Sequence, residues 1–130
     1  MSESTFTANS HIPQQQRHAA LLAVLNILEK WGCTTEEQMA LLGVETEAVF
    51  DDYLRDPVTI DISLDTMERL SYLLNIHALL RTQFSDPASV YRWVKKPNSA
   101  PFFDGRSAMD VMTQGKVADL YEIMQRLSLD

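Results

Sequence analysis

Few side chains in this sequence have a type and spacing that could support catalysis. The single cysteine, Cys33, has no histidine near it in sequence, and the three histidines lack metal-ligand spacing with acids or with Cys33. Asp51 and Asp52 are neighbours, but successive residues of a helix point in different directions, so they form no acid–base dyad. There is no glycine-rich loop that could hold a phosphate. The sequence therefore favours a binding protein over an enzyme, with no metal and no cofactor.

Composition indicates a folded protein with a buried core. The chain has 130 residues, of which 45% are hydrophobic. Its apolar runs are shorter than the roughly 18 residues that a membrane span needs, and its first residues are polar. One cysteine excludes an internal disulfide. These features predict a soluble cytoplasmic protein that does not bind a membrane.

The net charge of −7 is unevenly distributed. Residues 1–65 carry eleven acidic and three basic side chains, whereas residues 66–130 carry seven acidic and eight basic ones. Affinity for DNA depends mainly on contacts between cations and phosphates. The N-terminal half is therefore a poor match for a polyanion.

Three helices are predicted in the N-terminal half. The first begins near Pro13 and ends at Gly32. Thr35 is expected to cap a short second helix that Gly43 ends, and Thr46 to cap a third. Two short helices joined by a glycine turn are typical of the helix-turn-helix motif, whose second helix enters the major groove. The inner face of the first helix is predicted to hold Ala20, Leu21, Val24, Leu25, Ile27, Leu28 and Trp31.

The charge of the third helix argues against DNA contact through it. We expect four apolar residues to face the core, namely Val49, Phe50, Tyr53 and Leu54. The outward face then holds Glu47, Ala48, Asp51, Asp52 and Arg55. Its three carboxylates would repel phosphates and base edges that are mostly acceptors. Two interpretations stay open: a DNA-binding motif with Thr46, Ala48 and Arg55 as candidate contacts, or a packing unit that does not touch DNA through this helix.

A long apolar helix is predicted at the centre of the chain. It follows a connector over residues 58–65, which could be extended, and it begins with a capping box of Asp65 and Glu68. It reaches about Phe84, and its apolar residues cover about two-thirds of the circumference, so it should be buried on more than one side. It is therefore a hub between the two halves, a dimer interface, or both. His77 lies among the apolar residues and is predicted to be a hydrogen-bonded core histidine.

The last helix is predicted to begin at Lys116 and to point an apolar residue away from the core. Its apolar stripe consists of Val117, Leu120, Tyr121, Ile123, Met124 and Leu127. Leu129 lies off this stripe, next to Asp130. Such a residue indicates either a contact with a partner or a frayed terminus.

The most specific pattern in the sequence runs from Trp93 to Gly115. A preceding short helix is capped by Ser85 or Asp86 and ends by Pro97. Ser107 with Asp110 three residues later predicts a new helix, which Gly115 ends. The loop between them is too apolar for a solvated linker and must pack, since it contains Pro101, Phe102, Phe103 and Gly105.

In order and spacing this segment resembles the toxin-binding domain of the Xre/MbcA/ParS antitoxins of type II toxin–antitoxin systems. The family pattern is a tryptophan on a helix, a Pro-Asn pair, an apolar loop with glycine, a Ser- or Thr-led helix, and a final glycine. The matching residues here are Trp93, Pro97, Asn98, Phe103, Gly105, Ser107, Ala108, Met109, Asp110, Met112 and Gly115. Residues 68–76 are similar to the family's central helix, except that Asn75 replaces a usual glycine. Trp31 and residues 41–43 are similar to its Xre-type helix-turn-helix.

The resemblance implies an all-α fold with an N-terminal helix-turn-helix bundle joined through the central helix to a small toxin-binding domain. The corresponding ranges are a flexible N-terminus over residues 1–12, an Xre-like domain over 13–62 and a toxin-binding domain over 63–130. It implies a dimeric antitoxin, and in the family the partner is commonly a RES-domain enzyme that destroys NAD. It also implies that the antitoxin's helix-turn-helix binds operator DNA and represses its own operon. A DNA-binding repressor without a toxin and a helical adaptor are the alternatives.

The resemblance also implies where the toxin is bound. In the family, the C-terminal helix and chain end reach towards the entrance of the toxin's active site. In this chain that role falls to Tyr121, Met124, Leu127, Ser128, Leu129 and Asp130.

Overall fold

A computed structural model describes residues 14–129 of the chain, and the regular secondary structure of this range is all α-helix, joined by turns and loops. The helices are α1 (Gln14–Lys30), α2 (Thr35–Leu42), α3 (Glu47–Arg55), α4 (Leu64–Gln83), α5 (Pro87–Trp93), α6 (Ala108–Met112) and α7 (Val117–Ser128). The predicted all-α fold is confirmed. None of the described helices is long and apolar enough to span a membrane. The predicted flexible segment 1–12, the helix start at Pro13 and the contact residue Asp130 lie outside the described residues.

Helix α2 begins one residue earlier than predicted. Thr34, and not Thr35, is its cap: the Thr34 hydroxyl accepts the Glu37 N–H at 3.1 Å, and the Glu37 carboxylate accepts the Thr34 N–H at 2.9 Å. This reciprocal pair is a capping box. Thr46, the predicted cap of α3, is confirmed.

Helix α4 also begins earlier than predicted, and its predicted capping box is wrong. Ser63 is the cap, and its hydroxyl accepts the Thr66 N–H at 3.1 Å. Asp65 therefore lies inside the first turn, where its carboxylate accepts a hydrogen bond from Arg69 Nε at 2.9 Å. The Asp65 carboxylate therefore pairs with Arg69, four residues later, and does not cap the backbone N–H groups at the start of the helix.

Helix α4 is the hub of the core, as predicted for a helix that is apolar on several sides. It packs against α1, α2, α5 and α7. Its buried residues are Thr66, Met67, Arg69, Leu70, Leu73, Ile76 and Leu80. The two halves of the chain therefore share one continuous core.

Helix α3 buries a narrower face than predicted. Phe50 and Tyr53 are buried, but Val49 and Leu54 are 43% and 50% exposed. Successive side chains of a helix point about 100° apart. A helix that contacts the core along one narrow face therefore buries only residues spaced three apart, here Phe50 and Tyr53. The Tyr53 hydroxyl reinforces that edge by donating to Thr66 Oγ1 at 3.4 Å.

The connector between α3 and α4 is a turn with no strand within it. Its backbone is held by α1: the Arg17 guanidinium donates to the Ile62 carbonyl at 3.3 Å, and His18 Nε2 lies 3.0 Å from the Ile60 carbonyl. Ile62 is buried, whereas Val58 is exposed. The alternating apolar residues of this segment therefore do not form a β-strand. Ile62 packs into the core individually, and Val58 faces solvent.

Arg69 ties the helix-turn-helix to the C-terminal half. This nearly buried residue on α4 donates to Asp65, to the Ala40 carbonyl at 3.3 Å and to the Gly115 carbonyl at 3.0 Å. Gly43, at the turn after α2, has a φ of +73°, and a Cβ there would lie 2.5 Å from Arg69 Nε. The turn therefore needs glycine both for its backbone conformation and for the close approach of Arg69.

His77 lies among apolar residues as predicted, but the predicted hydrogen bond is absent. Its buried Nδ1 has no partner among the residues described. The ring instead stacks on Tyr91 of α5, with centroids 6.1 Å apart and planes 7° from parallel. The face of an aromatic ring offers no ordinary acceptor for Nδ1. Burial lowers the pKa of His77, and the positive charge of Arg81 lowers it further.

Protonation of His77 is therefore expected to destabilise the fold. Because its pKa is lower in the folded chain than the value near 6.5 expected after unfolding, the unfolded chain binds more protons in this range. The free energy of unfolding should fall as the pH drops from about 7 towards 5.5. Denaturant titrations of the wild type and of His77→Phe across this range measure the effect. The same pH dependence in both proteins would contradict it.

Candidate functional site

The segment after α5 folds into a closed, packed loop. Helix α5 ends at Trp93, and the carbonyl of the following residue, Val94, accepts the Met109 N–H at 2.7 Å. Within the loop, the Asn98 N–H donates to the Arg106 carbonyl at 3.0 Å and the Gly105 N–H donates to the Asn98 carbonyl at 2.9 Å. Gly105 has a φ of +86°, which favours glycine. The prediction that this loop packs is confirmed.

Three aromatic rings form one wall of the site. Trp93 and Phe103 meet edge to face with centroids 6.2 Å apart, and Phe103 and Phe102 do so at 5.0 Å. Phe103 is buried, whereas Phe102 is only partly covered. Edge-to-face contacts of this kind are favourable beyond the area they bury. The loop therefore presents a rigid aromatic surface.

The loop leads into α6, which fixes the start of α7. The Ser107 hydroxyl accepts the Asp110 N–H and the Asp110 carboxylate accepts the Ser107 N–H, both at 3.0 Å, so the predicted capping box is confirmed. Helix α6 ends at Met112, before Gly115, which forms the turn into α7 with a φ of +95°. Four of the five residues of α6 are buried. The motif therefore serves to position α7.

Helix α7 places the predicted toxin-contact residues in different surroundings. Tyr121 is 42% exposed, Leu129 is 82% exposed, Ser128 is exposed and Met124 is partly buried. Leu127, in contrast, is buried on the core stripe with Leu120 and Ile123, so its side chain is not available at the surface. The Leu127 carbonyl accepts a hydrogen bond from Gln83 Nε2 at 2.9 Å, which joins the ends of α4 and α7.

A cavity of about 360 Å³ lies between the end of α7 and the aromatic loop. We call it the terminal groove. It is lined by Gln83, Trp93, Asn98, Ala100, Pro101, Phe102, Phe103, Arg126, Leu127 and Leu129. The Arg126 guanidinium lies 3.7 Å from the centroid of the Phe102 ring and 3.3 Å from the Glu122 carboxylate. The lining is mixed: aromatic and aliphatic side chains alternate with the Gln83 and Asn98 amides and the paired Arg126 guanidinium.

The candidate DNA-contact residues lie on the surface of α3. Thr46, Ala48 and Arg55 are all exposed. The Thr46 hydroxyl is used as the helix cap, accepting the Val49 N–H at 3.3 Å, and the Arg55 guanidinium is paired with Asp52. The exposed positions of α3 therefore offer little unpaired positive charge to a duplex.

Cys33 lies in surroundings that make its thiol unreactive. Burial, reinforced by the negative charge of Glu37, raises the pKa of Cys33 to about 12, against a smaller opposing contribution from Lys95. Within residues 14–129 no cluster of three or more histidines, cysteines or acids could hold a metal. The Lys95 charge is too small an influence to offset burial, so the nucleophilic thiolate form is disfavoured.

Alkylation of Cys33 should therefore be slow in the native protein. With a pKa of about 12, roughly one thiol in 10⁴ is ionised at pH 8, against about a quarter in the unfolded chain, where a cysteine has its ordinary pKa of about 8.5. We expect iodoacetamide to react on the order of a thousand times faster in denaturant than in buffer. Mass spectrometry of timed samples measures both rates, with free cysteine as the control for denaturant effects on the reagent. Equal rates would show that the native thiol is accessible and ionised.

Both halves of the chain match models of known protein families. The family model for the antitoxin Xre/MbcA/ParS C-terminal toxin-binding domain matches residues 79–128, and the model for the antitoxin Xre-like helix-turn-helix domain matches residues 10–75. A similar protein is "Uncharacterized protein y4oB" of Sinorhizobium fredii (strain NBRC 101917 / NGR234). It is 37% identical over 109 residues, which cover 84% of this chain and 81% of that protein. No solved structure matches the chain significantly.

Proposed function

The chain belongs to the Xre/MbcA/ParS antitoxins, with an Xre-like helix-turn-helix followed by a toxin-binding domain, and we propose that it neutralises a RES-domain toxin that degrades NAD. In this proposal the end of α7 occupies the entrance of the toxin's active site. The observation that carries it is Leu129, an apolar side chain 82% exposed beside the terminal groove. The RES type of the toxin follows from the family resemblance.

The rigidity of α7 supports this mechanism. Its inner stripe is buried against the core, and the bond from Gln83 to the Leu127 carbonyl holds its last turn. A segment that is already ordered loses little conformational entropy on binding, so more of its contact energy appears as affinity. Leu129 would insert into the toxin, with Tyr121, Met124, Ser128 and Asp130 as flanking contacts. Leu127 then supports the segment from the core side.

The proposal extends to the form of the antitoxin in the cell. We propose a cytoplasmic homodimer without enzymatic activity, with an Xre-like domain over residues 13–62 and a toxin-binding domain over 63–130. Autorepression through the helix-turn-helix is supported by the corner itself, in which Gly43 adopts the left-handed conformation between α2 and α3. A repressor without a toxin is the second candidate, but it leaves the exposed Leu129 without a use.

Co-expression with the toxin tests the blocking mechanism. The chain should restore growth and cellular NAD to cells that produce the toxin, whereas a variant lacking Ser128, Leu129 and Asp130 should not. The truncated variant should still co-purify with the toxin, because the aromatic loop and the outer face of α7 remain. Full protection by the truncated variant would overturn the mechanism, and unchanged thermal unfolding provides the control for its fold.

A further inference from the structure

A second cleft, of about 510 Å³, lies where the end of α1 meets α5 and the turn after it, and it is lined by four of the chain's eleven basic side chains. We call it the basic cleft. Lys30 comes from the end of α1, and Arg92, Lys95 and Lys96 come from α5 and the turn that follows it. Trp31 and Tyr91 complete its lining. No function proposed above uses this cleft.

Two of these cations are available to a ligand. Within the described part of the chain, neither Lys30 nor Lys96 forms an ion pair, and both are exposed. Lys95 is committed to the protein: its Nζ donates to the Gly32 carbonyl at 2.6 Å and lies 3.1 Å from the Glu37 carboxylate. Arg92 donates weakly to Ser89 Oγ at 3.4 Å. The cleft therefore holds more positive charge than its surroundings neutralise.

The ion pair between Lys95 and Glu37 places the basic cleft beside the first turn of α2. In a helix-turn-helix, α2 corresponds to the helix that crosses the DNA backbone, while the second helix enters the groove. A cation-lined surface next to that helix is suitably placed to contact phosphates. Helix α3 is not, because Glu47 and Asp51 are exposed on it and its arginine is paired with Asp52.

Trp31, one of the residues that line the cleft, carries a donor that is unpaired among the described residues. The buried Trp31 Nε1 has no hydrogen-bond partner in the described part of the chain. Buried polar groups are usually paired, so an unpaired one beside a cleft calls for an explanation. An indole N–H can only donate, but this one is itself buried, so the contact with a ligand in the cleft is assigned to the exposed lysines.

We propose that the basic cleft holds the phosphate backbone of duplex DNA, with Lys30 and Lys96 as the direct contacts. This inference rests on the DNA binding included in the proposed function. It assigns the electrostatic part of that binding to the cleft beside α2, since α3 offers little unpaired positive charge.

A mobility-shift assay with the chain's own upstream DNA over a salt series tests this proposal. Each lost phosphate contact should reduce the slope of log K against log salt by about 0.9. The double variant Lys30→Gln/Lys96→Gln should therefore bind about 30-fold more weakly at 0.15 M salt, with a slope smaller by about 1.8. The control, Arg81→Gln/Lys116→Gln, removes the same charge at exposed positions outside the cleft and should change neither slope nor affinity to this extent.

Each outcome of this assay has one meaning. Equal losses in the two double variants would overturn the proposal, since charge alone would then explain the effect. If the wild type gives no shift at low salt, DNA binding itself fails, and the cleft proposal fails with it, while protection against the toxin still stands. If the cleft variant loses its fold, as judged by thermal unfolding or by protection against the toxin, the single substitutions give the same test with slope changes of about 0.9 each.

Discussion

Replacing Arg69 with methionine is expected to lower the free energy of unfolding by about 3 kcal/mol. The side chain is buried and supplies three hydrogen bonds, to Asp65, to the Ala40 carbonyl and to the Gly115 carbonyl. Methionine fills a similar space but donates nothing, so acceptors in a nearly dry site lose their donor at about 1–3 kcal/mol each. Asp65 regains water because it is about half exposed, which keeps the total below that for a fully buried ion pair.

Denaturant unfolding at pH 7 measures this loss. The matched control is Arg81→Met on the same helix, where the arginine is exposed. That substitution should change stability by less than about 0.5 kcal/mol. If both variants lose the same stability, the connection that Arg69 makes between the two halves has no energetic importance.

Replacing Leu129 with aspartate is expected to weaken binding of the toxin by 10- to 100-fold. Burial of a leucine side chain contributes about 1.5–3 kcal/mol, which corresponds to this range of affinity. Because Leu129 is 82% exposed in the free chain, almost all of that burial is available on binding. The free energy of unfolding should stay unchanged for the same reason.

If the partner is the proposed NAD-degrading toxin, titration of its NAD degradation with each variant measures the effect on inhibition. Leu54→Asp, an equivalent change at a half-exposed leucine on α3, is the control and should inhibit like the wild type. Inhibition by Leu129→Asp at wild-type concentrations would show that Leu129 is not the residue that blocks the toxin.

The start of a helix could be predicted from the sequence wherever only one nearby residue is able to cap it. Thr46 and Ser107 are capping residues without a competitor beside them, and both predictions are confirmed. At Thr34 and Thr35 two adjacent residues can cap equally well, and local sequence alone does not select between them. The exposure of Val49 and Leu54 could not be predicted either, because the buried face of α3 depends on where that helix contacts α4 and its neighbours.

The candidate site likewise has features that the sequence predicts and features that it does not. The exposure of Leu129 follows from helical spacing alone and is confirmed. The terminal groove needs Arg126 to lie over Phe102, a contact across 24 residues of sequence that no local pattern indicates. Arg69 was also missed. Its only signal is a charged residue in an apolar helix, and its partners lie up to 46 residues away.

Helix α4 has a consequence for how the cell can remove this protein. It spans 20 residues, about 30 Å, and the two family matches end and begin inside it, at residues 75 and 79. Because α4 packs against α1 and α2 on one side and against α5 and α7 on the other, both halves depend on this one helix for their shared core. Degradation that unfolds α4 removes the central packing surface of both halves at once. We therefore expect release of a bound toxin and loss of any DNA binding to occur together when α4 unfolds.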